Sequence, residues 1–524
     1  MSAIRRCLIA VFMSAIFSTA HSQSQTPTIA AAQETNSDLL IPAPKQFITH
    51  HTTTVRGQKI AYTAIAGETY LSTNLGETIG SIFSFSYIKE GPVDRKRPVV
   101  FIFNGGPASS SLWLHMGIMG PKRVALDNEI NSSNLPPFGY TENPYSLLDV
   151  ADLVIIDAIG TGFSRALGRA HNEDFFGVDQ DTKATAQFID LWLTANNRWT
   201  SPKFLVGESY GGLRASVLPR ALMGEPHSSS GVLHGITLNG VILISSNIGP
   251  IRTEQGAPET IYGREMDVAQ TLPALADTAW YYNRIDRKGR SIEAFDAEVT
   301  QFALGAYVDA LRKQTTETLS ADERRSVVAK LVEFSGLPSS TFEKDLNFEL
   351  QSAANLLLAD RGLNVGSLDG RYTLPAAHSA GEGAADDPAM ARYAPGFVAA
   401  FHEMLANDLK VKMDRPYVAF FLERSWQWKR EGPEDRSYAD DLVTAMRRTP
   451  GMQVFVANGY YDLNTPPMQS RQGIEHAQPP RDRIQFKVYE SGHMLYLGQS
   501  AAQKFSEDVR NFLLRASMPR PEAR

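Results

Sequence analysis

Apolar residues fall along the chain in two rhythms. Residues 79–89 (IGSIFSFSYIK) alternate apolar and polar over much of their length, as a half-buried strand does. Six other runs are short and nearly continuous: 98–103 (PVVFIF), 153–156 (LVII), 203–206 (KFLV), 236–245 (ITLNGVILIS), 453–457 (QVFVA) and 484–489 (IQFKVY). Most are bounded by Gly, Asp or Asn. Such runs suit strands buried on both faces of a mostly parallel sheet. Between them the period becomes helical. Ala184, Phe188, Leu191, Trp192 and Ala195 recur on one face of a helix within 182–199, and further helices are expected after Ser209 and over 499–516. Strand alternating with helix predicts an α/β fold, doubly wound around a mostly parallel sheet.

The rhythm differs between 250 and 450. Helical patterns at 265–282, 291–313, 320–336 and 387–409 are separated by loops rich in Gly, Ser and Asp, with no clear series of parallel-type strands. This segment, 250–450, reads as a mainly helical cap inserted into the sheet domain, whose two parts are then 46–249 and 451–524. Residues 23–45 (QSQTPTIAAAQETNSDLLIPAPK) read as a flexible lead-in. Residues 1–22 read as a secretory signal: Arg5 and Arg6 precede an apolar run over 7–20, and Ala20-His21-Ser22 offers small residues for cleavage. The run is short for a bilayer span. The mature protein is therefore expected to be periplasmic or secreted, with no stable membrane anchor once the signal is removed.

Composition narrows the chemistry. The 524 residues are 43% hydrophobic, enough for a large core, and the net charge of −6 gives no reason to expect a nucleic-acid partner. The one cysteine is Cys7, inside the signal. A mature chain without it has no disulfide, no cysteine metal site and no cysteine nucleophile. Nothing in the pattern carries a signature of oligomeric state.

The pentapeptide Gly207-Glu208-Ser209-Tyr210-Gly211 follows the run KFLV and precedes a helical stretch, LRASVLPRALM. A serine on a tight strand-to-helix turn, with glycine two residues to either side, is a nucleophile elbow; out of that context the pentapeptide is an ordinary glycine turn. A serine nucleophile needs a base, and the base needs an orienting carboxylate. Among 11 histidines, His493 stands just after the strand IQFKVY. His476 reads as a surface residue and His402 as structural, while His115 stays a weaker alternative. Asp462 follows QVFVA, and the 31 residues from it to His493 accommodate one helix and one strand. Asp157 also ends a strand but precedes the serine, so it reads as support for the turn that follows it. An oxyanion hole needs backbone N–H groups. Tyr210 and the loop Asn104-Gly105-Gly106-Pro107 are the places to look for them.

Taken together, FNGGPASSSLW (103–113), Gly120-Pro121, ENPYSLLDVADLVIIDAIGTGFS (142–164), FLVGESYGG (204–212), ANGYYDLNTP (457–466) and ESGHM (490–494) resemble the serine carboxypeptidase family of α/β hydrolases, in that family's order and over about 100 to 497. The wording looks most like a bacterial, disulfide-free branch. The resemblance implies Ser209 as nucleophile, Asp462 as triad acid, His493 as base, and Gly106 and Tyr210 as oxyanion donors. It further implies that Asn104, Gly105 and Glu208 bind the terminal carboxylate of a peptide substrate. No metal or organic cofactor is implied. Two carboxylates repel unless one is protonated, so Glu208 would bind best when neutral, and peptide binding should tighten at acidic pH, with a change between pH 4 and 7. The chain departs from the pattern at Ile118, where the family commonly has glutamate, and at Ala108 and Ser109, which replace Gly-Cys. An esterase or acyltransferase with the same triad is the alternative, followed by a non-catalytic binding protein on the same scaffold.

Overall fold

The computed structural model describes residues 41–126, 130, 133–224, 233–249, 263–376, 386–421, 425–431 and 437–518. The expected signal at 1–22, with Cys7, and most of the lead-in lie outside the described residues. The described residues from Pro42 onward belong to one contact unit.

The continuous apolar runs form the middle of a ten-stranded sheet. Its long strands are β1 (Gln46–Val55), β2 (Gln58–Ser72), β3 (Thr78–Lys89), β4 (Val99–Phe103), β5 (Asp152–Ile156), β6 (Lys203–Glu208), β7 (Gly240–Ile244), β8 (Gln453–Gly459) and β9 (Ile484–Tyr489). They run in the order β1-β2-β3-β5-β4-β6-β7-β8-β9, and Arg165–Ala166 pairs with β3 off that path. The first three strands and β5 pair antiparallel, and from β5 onward all pairing is parallel. This is an α/β-hydrolase fold. Every residue of β4 to β7 is buried, as strands covered on both faces require. The 236–245 run is a strand only from Gly240; Ile236 instead donates its N–H to Leu222 O at 2.9 Å, outside the sheet.

Alternate side chains feed two cores. Val100, Ile102, Phe204, Val206, Ile242 and Phe455 meet helices Pro388–Asn407 and Gln499–Ala516 on one face. Phe101, Phe103, Leu205, Val241 and Val454 meet helices Val178–Ala195, Tyr210–Met223 and Tyr438–Arg448 on the other. A third core joins the helices of 264–356 to Tyr460, Tyr461 and Leu463, which follow β8. Within 250–450 the helical spacing is realised over Leu272–Tyr281, Ile292–Phe302, Ala321–Ser335 and Pro388–Asn407. The segment also carries a small antiparallel pair, Leu363–Val365 with Thr373–Pro375. Its last two long helices pack directly on the sheet, because Phe397, Phe401, Leu442 and Met446 present apolar faces to it.

The stretch 366–372 ties that segment to the loop after β9. Leu463 donates its N–H to Ser367 O, Gly370 to Tyr461 O, and His493 to Leu368 O, at 2.7 to 3.0 Å. Buried Arg371 grips Asp369 with Nε and Nη2 at 2.9 and 2.6 Å, and also reaches the carbonyls of Glu490 and Leu497. Asp387 accepts from Ser367 and Leu368 while capping the helix that begins at Pro388. Arg371→Ala leaves the Asp369 carboxylate buried without its cation. It is expected to lower the unfolding free energy by about 3–5 kcal/mol, read as a lower denaturant midpoint. Arg371→Lys should recover only part, since an ammonium cannot reproduce the two-pronged contact.

Candidate active site

Ser209 stands between the end of β6 and the first residue of the helix Tyr210–Met223, with φ 59° and ψ −127°. A non-glycine residue at positive φ is strained, by roughly 1–3 kcal/mol. The strand register enforces it: Ser209 N donates to Ile244 O and Gly212 N to Ser209 O, both at 2.9 Å. The turn is so tight that a Cβ on Gly207 would lie 2.0 Å from Gly211 O. The loop after β4 closes on the same turn, and a Cβ on Gly105 would lie 2.4 Å from Tyr210 N. Tyr210 is the first helical residue, so its N–H has no intrahelical acceptor. Gly106 lies in that loop with φ 107°.

Asp462 and His493 come from the ends of β8 and β9. His493 Nδ1 lies 2.8 Å from Asp462 Oδ2, and both side chains are buried. Asp462 is held in turn: Oδ1 accepts from the N–H of Asn464 and Thr465, and Oδ2 from Thr465 Oγ1. Burial alone would lower the imidazole pKa. The Asp462 carboxylate, helped by Glu208, outweighs that and holds His493 above its ordinary value. Ser209 and His493 line one cavity of about 200 Å³ together with Asn104, Gly105, Gly106 and Glu208. Trp113, Leu368, Met390, Tyr393 and Met494 supply apolar wall.

Glu208 is buried beside the serine. Its Oε1 accepts from Asn104 Nδ2 at 2.7 Å and from Tyr496 OH at 3.2 Å, while its Oε2 is buried without a protein partner. Burial pushes its pKa up to about 7, against the pull of His493 and its hydrogen bonds. Asn104 is oriented from its other end, since its Oδ1 accepts Leu114 N at 2.9 Å. Arg214 Nη1 holds the Asn104 carbonyl at 3.0 Å and Nε holds Asp181 at 2.7 Å.

The other candidates sit elsewhere. His115 Nε2 meets Tyr87 OH at 2.6 Å among Phe85 and Phe401, and burial lowers its pKa to about 3. Asp157 accepts from Ser111 N and Tyr417 OH, pinning loops rather than facing the serine. His402 is exposed and His476 ends the helix Pro467–His476. Ile118 is buried in apolar core. Sequence reasoning missed Thr465, Arg371 and Tyr496. Thr465 had a local signal, a threonine three residues after an aspartate at a strand end; the other two had none. Among the described residues no cluster of His, Cys, Asp or Glu is arranged to hold a metal, and no helix is long and apolar enough to cross a membrane.

Comparison with known proteins adds a family. Residues 70–345, just over half the chain, match the family described as serine carboxypeptidase. A pheromone-processing carboxypeptidase kex1 of Pyrenophora tritici-repentis is 26% identical over 205 residues, 38% of this chain and 27% of that protein. Serine carboxypeptidase-like 20 of Arabidopsis thaliana is 30% identical over 137 residues, 26% of each chain. The chain thus spans about a quarter of the length of these relatives. The solved prohormone-processing carboxypeptidase Kex1 of Saccharomyces cerevisiae covers 86% of this chain and 91% of its own, with 14% identity and a TM-score of 0.49. On the family match over residues 70–345, this chain belongs to the serine carboxypeptidase family.

Proposed function

We propose that this protein is a serine-type carboxypeptidase that removes C-terminal residues from peptides. The observation that carries the reading is Glu208, a buried carboxyl with a pKa near 7 and one unpartnered oxygen, on the cavity that Ser209 lines. A carboxyl kept neutral beside a nucleophile can donate to a carboxylate, as a charged one cannot. In the reaction Ser209 Oγ attacks the last peptide carbonyl while His493 Nε2 takes its proton. Asp462 fixes the imidazole through Nδ1 and stabilises the imidazolium. The N–H groups of Gly106 and Tyr210 receive the developing oxyanion. His493 then returns the proton to the departing amino group, and water, activated by the same imidazole, hydrolyses the acyl-enzyme. Asn104, Gly105 and Glu208 hold the substrate's terminal carboxylate, which leaves with the released residue.

The same reading takes residues 1–22 as an export signal, and hence a periplasmic or secreted enzyme, on the strength of Arg5, Arg6 and the apolar run at 7–20. It takes 250–450 as the cap, because Leu368, Met390 and Tyr393 from that segment line the cavity.

Incubation with a peptide mixture, followed by mass spectrometry, is expected to show stepwise loss of C-terminal residues, abolished in Ser209→Ala. Internal cleavage, or ester turnover without peptide trimming, would overturn the reading. The pH dependence has a definite sign. Glu208 is neutral below a pKa of about 7 and charged above it. The KM for a peptide acid should therefore be low under acidic conditions and climb as pH rises through about 7, at the upper end of the range expected from sequence. The KM for the matching peptide ester should stay flat. The turnover number should fall on the acid side for both substrates as His493 becomes protonated.

A further inference from the structure

We propose that Tyr496 is a positioning residue for carboxylate recognition: its hydroxyl, with the Asn104 amide, occupies one oxygen of Glu208, so that the proton sits on the other and is offered to the substrate's terminal carboxylate. This rests on the carboxypeptidase reading above.

The two oxygens of Glu208 are not equivalent. Oε1 receives two donors, Asn104 Nδ2 and Tyr496 OH, and Oε2 receives none. In a neutral carboxyl one oxygen is carbonyl-like and accepts, while the other bears the hydrogen and donates. Two donors on Oε1 select it as the acceptor and leave the hydrogen to Oε2. A buried Oε2 without a partner is costly until a ligand oxygen arrives to take that hydrogen. The cavity lined by Glu208, Asn104 and Ser209 is where such an oxygen would come from. Tyr496 keeps the hydrogen that it donates to Glu208 Oε1. Burial and the nearby Glu208 raise its own pKa well above the ordinary phenol value, so it stays protonated.

The ring is built into its place. Tyr496 is fully buried and contacts Phe397 at 6.4 Å between ring centres. It lies on the turn His115–Met119 so closely that a Cβ on Gly117 would come within 2.2 Å of its Cε2. That turn, HMGIM, brings no carboxyl to the ring. Tyr496 follows His493 by three residues; Ser491 Oγ donates to the Met494 carbonyl between them, and Arg371 to the Leu497 carbonyl just after. The charged groups around Glu208 are His493 and Asp462, together with the phenols of Tyr496 and Tyr393. One carboxyl of this set, Glu208, thus changes charge near neutrality at the recognition point.

The test compares a peptide acid with its ester in Tyr496→Phe, which keeps the ring and removes the hydroxyl. Well below neutral pH, KM for the acid is expected to rise roughly 3- to 10-fold, the range set by one hydrogen bond. KM for the ester and both turnover numbers should be unchanged. The rise of the acid's KM with pH should also move to higher pH, because a donor that favours the anion is gone. Gly117→Ala, which pushes the ring off its seat with the hydroxyl present, should reproduce the acid-specific loss. Equal changes in acid and ester, or an unmoved pH profile in Tyr496→Phe, would sink the proposal. If the wild-type protein does not distinguish acid from ester at all, the carboxypeptidase reading fails and takes this inference with it. If wild type discriminates and Tyr496→Phe matches it, only the inference fails.

Discussion

Backbone pressed against backbone at the C-terminal end of β6 is the constraint on which the site depends. The chain must leave a central parallel strand and enter a helix within one residue, and it does so at Ser209 with φ at 59°. Strain of that kind persists only where the surroundings over-determine it. Here strands on both sides of β6, the close approach of Gly207 to Gly211, and the loop at Gly105 leave the turn no other shape. The serine, the N–H of Tyr210 and the carboxyl of Glu208 all take their directions from this one turn.

A buried acid is the electrostatic counterpart of that strain. Glu208 sits where desolvation outweighs two hydrogen bonds and a neighbouring imidazole. The nearby Asp462 is equally buried, and it accepts from two backbone N–H groups and a hydroxyl. The two carboxyls thus differ in how many donors each receives. Both raise the pKa of His493.

Much of this was legible in the sequence because the central sheet writes itself as continuous apolar runs. Strands β4 to β9 stand where PVVFIF, LVII, KFLV, the later part of ITLNGVILIS, QVFVA and IQFKVY predicted strands. The elbow was legible for the same reason, since GESYG directly follows such a run. Strands β1 and β2 were not. Residues such as those of QFITHHTTTV alternate half-exposed and exposed positions at a sheet edge, and their threonines and histidines give no apolar period. Arg371 and Tyr496 were not legible either. Each reaches a partner more than a hundred residues away, and no local spacing records such a contact. The 250–450 segment showed its helices but not their destinations. The third core holds the early ones, whereas Pro388–Asn407 and Tyr438–Arg448 lie on the sheet.

The clasp of Arg371 on the loop after β9 has a consequence for how such a site can diversify. Leu368, which lines the cavity, also accepts the backbone hydrogen bond of His493. The wall that meets a substrate and the seat of the imidazole are therefore one piece of backbone. Remodelling 366–372 would drag His493 away from its place beside Ser209 on the cavity. Variation is channelled instead into side chains on the neighbouring helix, Met390 and Tyr393, which reach the cavity without bearing on His493's main chain. Selectivity can drift there while the chemical centre keeps its geometry.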